Sequence, residues 1–401
     1  MGFEIKKHLN RILLAGLLIT FFYGVYYSYQ CYICQKQNEK SVDMKSEHSY
    51  EDCMGSYSEK RMDLITALTE EKQREFEERD YVEVNPENSP EFLVFQKYQY
   101  LYSKADVCRQ VKAYREQVVK NAARLKNSRD TYYARVNKKI EKMYSRDVEL
   151  VIHDGSRLED IAGIFMVSEI VDFVNIVLLV IVSCSLFLIE HRKGTFTLVY
   201  SSYRGRGRTY AVKLAVAMGF AVLLSLLQTV SMVLLSFTYG NLSEWKDAIQ
   251  NIEFFIHSPY HLNLAELVVV VTVLRALGYL VLICIFTVIS VCFQKNIIPL
   301  AINTLIGIGG FGLCYYFSGS YVTNSGTLIH QGSFYSFVRM YSPFVLIGDG
   351  IGYLKKYEPL NILNYPVSVL SVTVLVNIVL AGMIVAVGYP LYIRRFRRRG
   401  V

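Results

Sequence analysis

The pattern of apolar and polar positions divides the chain into two kinds of segment. Apolar runs at about 12–29, 166–189, 214–237, 265–292, 297–317 and 367–392 approach or exceed the roughly 20 residues that a helix needs to cross a hydrocarbon core. Between the first two runs lies a stretch with a different rhythm. Val94, Tyr98, Leu101, Ala105, Cys108, Val111, Tyr114, Val118, Ala122 and Leu125 recur every three or four positions, one stripe of a long helix from Glu91 to about Ser128. Ser89 and Pro90 suit its N-cap and first helical position. A second, more acidic helix is expected over about 58–79 with Leu64, Leu68 and Phe76 as its inner face, and VEVNPENSP turns the chain between the two.

These elements predict an all-α membrane protein with six transmembrane helices and a helical extracytoplasmic domain between spans 1 and 2. Residues 1–30 form an N-terminal cytosolic segment and the first helix, 31–165 the extracytoplasmic domain, and 166–401 a five-helix transmembrane domain ending in a basic tail. Hydrophobic residues make up 52% of the chain, which agrees with the membrane class. The formal charge of +8 follows from topology. Lys6, Lys7 and Arg11, the group from Arg192 to Lys213, Lys295, and the closing run from Arg394 to Arg399 all fall on one side of the expected spans, which the positive-inside rule makes cytosolic. Residues 32–164 balance 23 basic against 25 acidic residues and face outward. After the first span the chain continues GVYYSYQCYIC without a small-residue cleavage site, so that span reads as an uncleaved anchor with an interfacial tyrosine belt.

Polar residues inside the spans are the next candidates, because they are costly at membrane depth. Arg275 sits about ten residues into the fourth span, as a pathway-lining contact or as the partner of carbonyls or a carboxylate. Glu266 lies too far along the same helix to pair with it directly. Gln228, Asn303 and Asn377 are placed to hydrogen-bond between helices. Glu169 and Asp172, at the outward start of the second span, read as solvated interface groups. Of eight cysteines, Cys31, Cys34, Cys53 and Cys108 face outward, where a structural disulfide involving Cys53 and Cys108 is a candidate. The Cys31–Cys34 CxxC has neither a second CxxC nor nearby histidines to make a metal site.

The most informative segment is the loop 190–213, EHRKGTFTLVYSSYRGRGRTYAVK. Phe196, Val199, Tyr200 and Tyr203 fall at i, i+3, i+4 and i+7, one bulky face of a short helix that can dock in a groove. Arg206 and Lys213 also suit lipid-headgroup anchors. The order Glu190, Gly194, Thr195, the short helix, Ser201, Arg206 and Lys213 resembles the intracellular loop between the second and third spans of permease subunits of type-2 ATP-binding-cassette (ABC) exporters. Tyr203, where many members have Pro, and the glycine-rich GRGRT depart from that pattern and blur the end of the helix. YSPFVLIGDGIGYL resembles the Pro-containing outer segment before the family's last span.

The resemblance implies a multi-pass export permease in a bacterial cell membrane with both termini cytoplasmic. It implies a separate cytosolic ABC ATPase that uses ATP and docks on the coupling loop, and a second permease subunit, identical or related. The chain has no GxxxxGK[ST] phosphate loop and no HExxH or GxSxG motif, so it is expected to bind no cofactor itself and to be no enzyme. Membrane lipids are expected partners. The RGRGR run, wedged between two spans, is a poor nucleic-acid site, and RRFRRRG suits a topological stop that also meets anionic lipid. The alternative is a non-transporting sensor or anchor whose outer domain binds a ligand or partner.

Overall fold

The computed structural model describes residues 11, 13–26, 28–30, 48–77, 90–153, 169–192, 205–238, 242–293, 297–316 and 341–397. Its α-helices of six or more residues are α1 (13–26), α2 (Glu59–Glu77), α3 (Pro90–Leu125), α4 (Thr131–Tyr144), α5 (Glu169–Arg192), α6 (Gly205–Thr238), α7 (Leu264–Cys292), α8 (Ile297–Thr304), α9 (Gly310–Tyr316), α10 (Pro343–Gly348) and α11 (Val369–Arg397). A π-helical turn at Leu305–Gly309 joins α8 to α9. Among the described residues, five apolar windows are long enough to cross a membrane: Ile170–Phe187, Gly207–Leu234, Leu264–Cys292, Ile297–Cys314 and Val369–Arg394. They fall on five of the six expected runs. The sixth run holds α1, which packs along the bundle: Leu13 and Leu17 meet its main core, and Ser28 Oγ donates to the Met232 carbonyl at 2.9 Å.

Helix α7 is the centre of that bundle. It begins with a reciprocal cap in which the Asn263 side chain accepts the Glu266 N–H and Glu266 accepts the Asn263 N–H. Glu266 is therefore engaged at its own helix start, a cap the sequence reading did not name. Helices α5, α6, α10 and α11 surround α7, and Ile176, Leu179, Phe220, Leu224, Leu282 and Phe286 lie in the shared core. At Gly278 the approach is close enough to exclude a side chain. A Cβ there would lie 2.7 Å from the Pro343 carbonyl oxygen and 2.6 Å from Ile347 Cγ1, so glycine lets α10 seat against the middle of α7.

The polar helical domain follows the expected hairpin. Contacts of Phe76 with Phe92, Thr69 with Tyr98 and Glu59 with Lys112 set α2 and α3 antiparallel. The α3 stripe is buried at Tyr98, Leu101, Ala105, Cys108, Val111 and Ala122, whereas Leu125 at the helix end is exposed. On α2 the inward face is turned from the expected one: Met62 and Ile65 are buried and Leu64 is 38% exposed. Ser58 accepts the Arg61 N–H at 3.2 Å at the helix start, and Ile65 packs in the core cluster with Tyr98 and Leu101. Leu68 and Phe76 lie at the packed face as expected.

Three features were not anticipated. Helix α4 is N-capped by Asp130, whose carboxylate accepts the Tyr132 and Tyr133 N–H groups. Two short antiparallel pairs accompany the helices of a predominantly helical chain: β1 (Gly55–Ser56) with β2 (Val151–Ile152), and β3 (Pro359–Ile362) with β4 (Tyr365–Ser368). The polar domain is also fixed to the bundle at several points. Tyr144 Oη donates to the His257 carbonyl at 2.6 Å, His153 Nε2 lies 2.7 Å from Asp247 Oδ2, and Arg135 Nη1 donates to the Asn364 carbonyl at 2.9 Å.

Cys53 and Cys108 lie in one core cluster and are not bonded to each other. Burial is the main cause that raises Cys53 to about 11 and Cys108 to about 12. Protonated and desolvated, neither is poised to attack a disulfide partner. Cys31 and Cys34 lie outside the described residues.

Candidate functional site: a buried polar network

Three apolar helices carry polar residues at helical spacing, and those faces meet. Helix α5 contributes Asp172 and Asn175, α6 contributes Ser225, Gln228 and Thr229, and α7 contributes Thr272, Arg275 and Tyr279. Separations of three and four place each set on one face of its helix. Thr20 joins from α1, donating to Asn175 Oδ1 at 2.6 Å.

Asp172 is the hub. Its Oδ1 lies 3.1 Å from Arg275 Nε and accepts Gln228 Nε2 at 2.9 Å. The Tyr279 hydroxyl stands 2.8 Å from the same oxygen and 2.9 Å from Gln228 Oε1. Its single proton serves one acceptor at a time, and the charged one is favoured. Asn175 Nδ2 donates to Gln228 Oε1 at 2.7 Å. Nearby, Ser225 Oγ donates to the Thr272 carbonyl, and the Thr229 and Thr272 hydroxyls lie 2.8 Å apart.

Arg275 and Asp172 have side-chain exposures of 1% and 0%. This corrects the expectation that Asp172 is a solvated interface group: α6 and α7 close over it, and it provides the counter-charge that makes Arg275 tolerable at depth. Arg275 lies about 16 Å along α7 from Leu264 at 1.5 Å per residue. Enclosed by the helices and paired, it is buried from solvent in this conformation. The side chain of Glu169 lies outside the described residues.

The other anticipated polar groups do bridge elements. Asn303 Nδ2 donates to the Phe286 carbonyl and Ser290 Oγ, each at 3.2 Å, linking α8 to α7. Asn377 Nδ2 donates to the Tyr341 carbonyl at 3.0 Å, tying α11 to the segment before α10.

At the other end of the bundle, α5 and α6 approach the loop between them. Gly194, Thr195, Phe196, Val199, Tyr200, Ser201 and Tyr203 lie outside the described residues, as do the side chains of Glu190 and Arg206. The loop's two bases are described. Tyr210 of α6 lies 6.1 Å from Phe187 of α5, and 5.9 and 5.2 Å from Tyr389 and Tyr392 of α11, measured between ring centroids. Lys213 Nζ stands 5.4 Å from the Phe187 ring centroid, a cation–π contact. A Cβ on Gly388 would sit 2.5 Å from Tyr210 Oη, so α11 passes close enough for the rings to interlock. Sequence reasoning had noted Lys213 but missed this aromatic clamp, whose signal was a Tyr or Phe near the end of three separate apolar runs.

Among the described residues, no group of three His, Cys, Asp or Glu side chains is placed to hold a metal ion. Comparison with models of known families, with characterised proteins and with solved structures gives no match. The class defined by the structure is a predominantly helical chain with, among the described residues, five helices long and apolar enough to cross a membrane.

Proposed function

We propose that this chain is the membrane-spanning permease subunit of a type-2 ABC exporter, moving a substrate outward with ATP hydrolysed by a separate cytosolic subunit. In this reading the chain has six spans, α1 being the first, and the polar helical domain is extracytoplasmic. The observation that carries the reading is the ordered set Glu190, Gly194, Thr195, Ser201, Arg206 and Lys213 between two long apolar helices.

The aromatic clamp supports it mechanically. Phe187, Tyr210, Tyr389 and Tyr392 join both bases of the loop to the end of α11, so a displacement of the loop reaches three helices together. A soluble ATPase that binds one membrane conformation more tightly than another would shift the population through that junction. The Asp172–Arg275 network ties α1, α5, α6 and α7 in the conformation described here, and Arg275 meets substrate only where α5 and α7 part. Two such subunits, identical or related, enclose one pathway.

Replacing Tyr200 with Glu tests docking. A charge on the bulky face of the loop helix is expected to abolish association with the ATPase while the chain still inserts normally; undiminished association counts against the proposal.

A further inference from the structure

The hairpin β3–β4 turns through Leu363 and Asn364, with φ of 51° and 65°. Both central residues are left-handed, the two-residue turn that favours Asn-Gly. Asn364 suits its place. Leu363 does not, because a bulky side chain at positive φ crowds the backbone. Packing among the described residues does not compensate, since Leu363 is 89% exposed, and its neighbours Ile362 and Tyr365 are 42% and 61% exposed.

Side-chain contacts hold this apolar tip. Arg135 of α4 donates to the Asn364 carbonyl at 2.9 Å and places its guanidinium 4.2 Å from the Tyr365 ring centroid, and the Asn364 N–H donates to Asn361 Oδ1 at 2.9 Å. The hairpin leads straight into α11, whose first N–H, at Val369, bonds the Glu358 carbonyl at 3.0 Å. Counting back from Arg394, a 30 Å hydrocarbon core takes about 20 residues and ends near roughly residue 374, a few residues inside the start of α11. The hairpin therefore begins at the headgroup layer. An aromatic ring and an arginine beside exposed aliphatic groups match that layer's chemistry.

We propose that Ile362, Leu363 and Tyr365 form an interfacial anchor that inserts into the bilayer leaflet on the side of the polar helical domain, at the boundary between headgroups and acyl chains. The anchor fixes the height of that domain, through Arg135, relative to the lipid. It rests on α11 spanning the membrane and is independent of export, so it stands or falls separately from the transport reading.

The test is fluorescence quenching with the full chain in lipid nanodiscs. Trp245, the sole tryptophan, is replaced by Phe, and a tryptophan is introduced by Leu363→Trp or, to avoid the left-handed position, by Ile362→Trp. Phospholipids brominated on the acyl carbons nearest the headgroup are expected to quench most of the emission, and aqueous iodide little of it. Quenching by iodide without quenching by bromolipid overturns the proposal. So does protection from both quenchers with cross-linking between copies carrying Leu363→Cys, which would make the tip a contact between subunits.

Discussion

Arg275 Nε lies 3.1 Å from Asp172 Oδ1, and helices α1, α5, α6 and α7 wrap the pair so that neither side chain reaches solvent. A buried pair of this kind is costly to halve and cheaper to remove whole. Asp172→Leu and Arg275→Leu are each expected to lower stability by about 3–5 kcal/mol, since each strands a charge. The double replacement should cost clearly less than the sum of the two. Thermal unfolding of all four proteins in one detergent gives the cycle, and additive losses would show that the pair does not act as a unit.

Gly278 and Gly219 make opposite predictions for the same substitution. Gly278→Ala drives a methyl group into the Pro343 carbonyl and Ile347, so overpacking of about 1–3 kcal/mol is expected, with α10 displaced from α7. Nothing lies within 4 Å of a Cβ on Gly219, and Gly219→Ala should be neutral or stabilising by up to about 1 kcal/mol. Equal effects in an unfolding comparison would contradict the close approach of α10.

The bridge from His153 to Asp247 makes the mounting of the polar domain sensitive to pH. A hydrogen bond to the Asp247 carboxylate is the main cause that raises His153 above its usual 6.5; Asp247 and Glu244 add attraction, while burial and Lys104 oppose it. With the native value raised, the stabilisation is fully present below about 6.5 and is lost as pH rises through the native value. Unfolding temperatures of the wild type and His153→Gln should therefore differ most in mild acid and converge at alkaline pH. A gap that stays constant across the range would remove the titrating role.

Cys53 and Cys108 should resist alkylation in the folded protein and react completely after denaturation without reductant, because both thiols are buried and held protonated. Intact mass before and after reduction checks this. A 2 Da gain on reduction, with labelling only afterwards, would show that the two are bonded.

The bundle was legible because apolar runs of membrane length need no knowledge of their neighbours, and the α3 stripe because its three-and-four spacing continues for ten positions. Rotation about a helix axis was harder to read. On α2, Leu64 and Ile65 are adjacent and equally apolar, and only packing against Tyr98 and Leu101 selects Ile65. The polar network shows a similar limit. Arg275 stood out as a charge in an apolar helix, yet Asp172, close to the end of its run, resembled an interface residue until α6 and α7 were seen to close over it. The β3–β4 hairpin was missed because its turn uses Leu363 where the pattern for such turns calls for Asn or Gly.

The central claim is that loop 190–213 couples this chain to a separate ATPase. The most direct measurement is affinity purification of the tagged full chain in mild detergent, with mass spectrometry of the proteins that accompany it. The account predicts a stoichiometric soluble ATPase that is lost when Tyr200→Glu is introduced. Its reproducible absence from an intact, membrane-inserted preparation would contradict the exporter reading and leave a membrane sensor or anchor in its place.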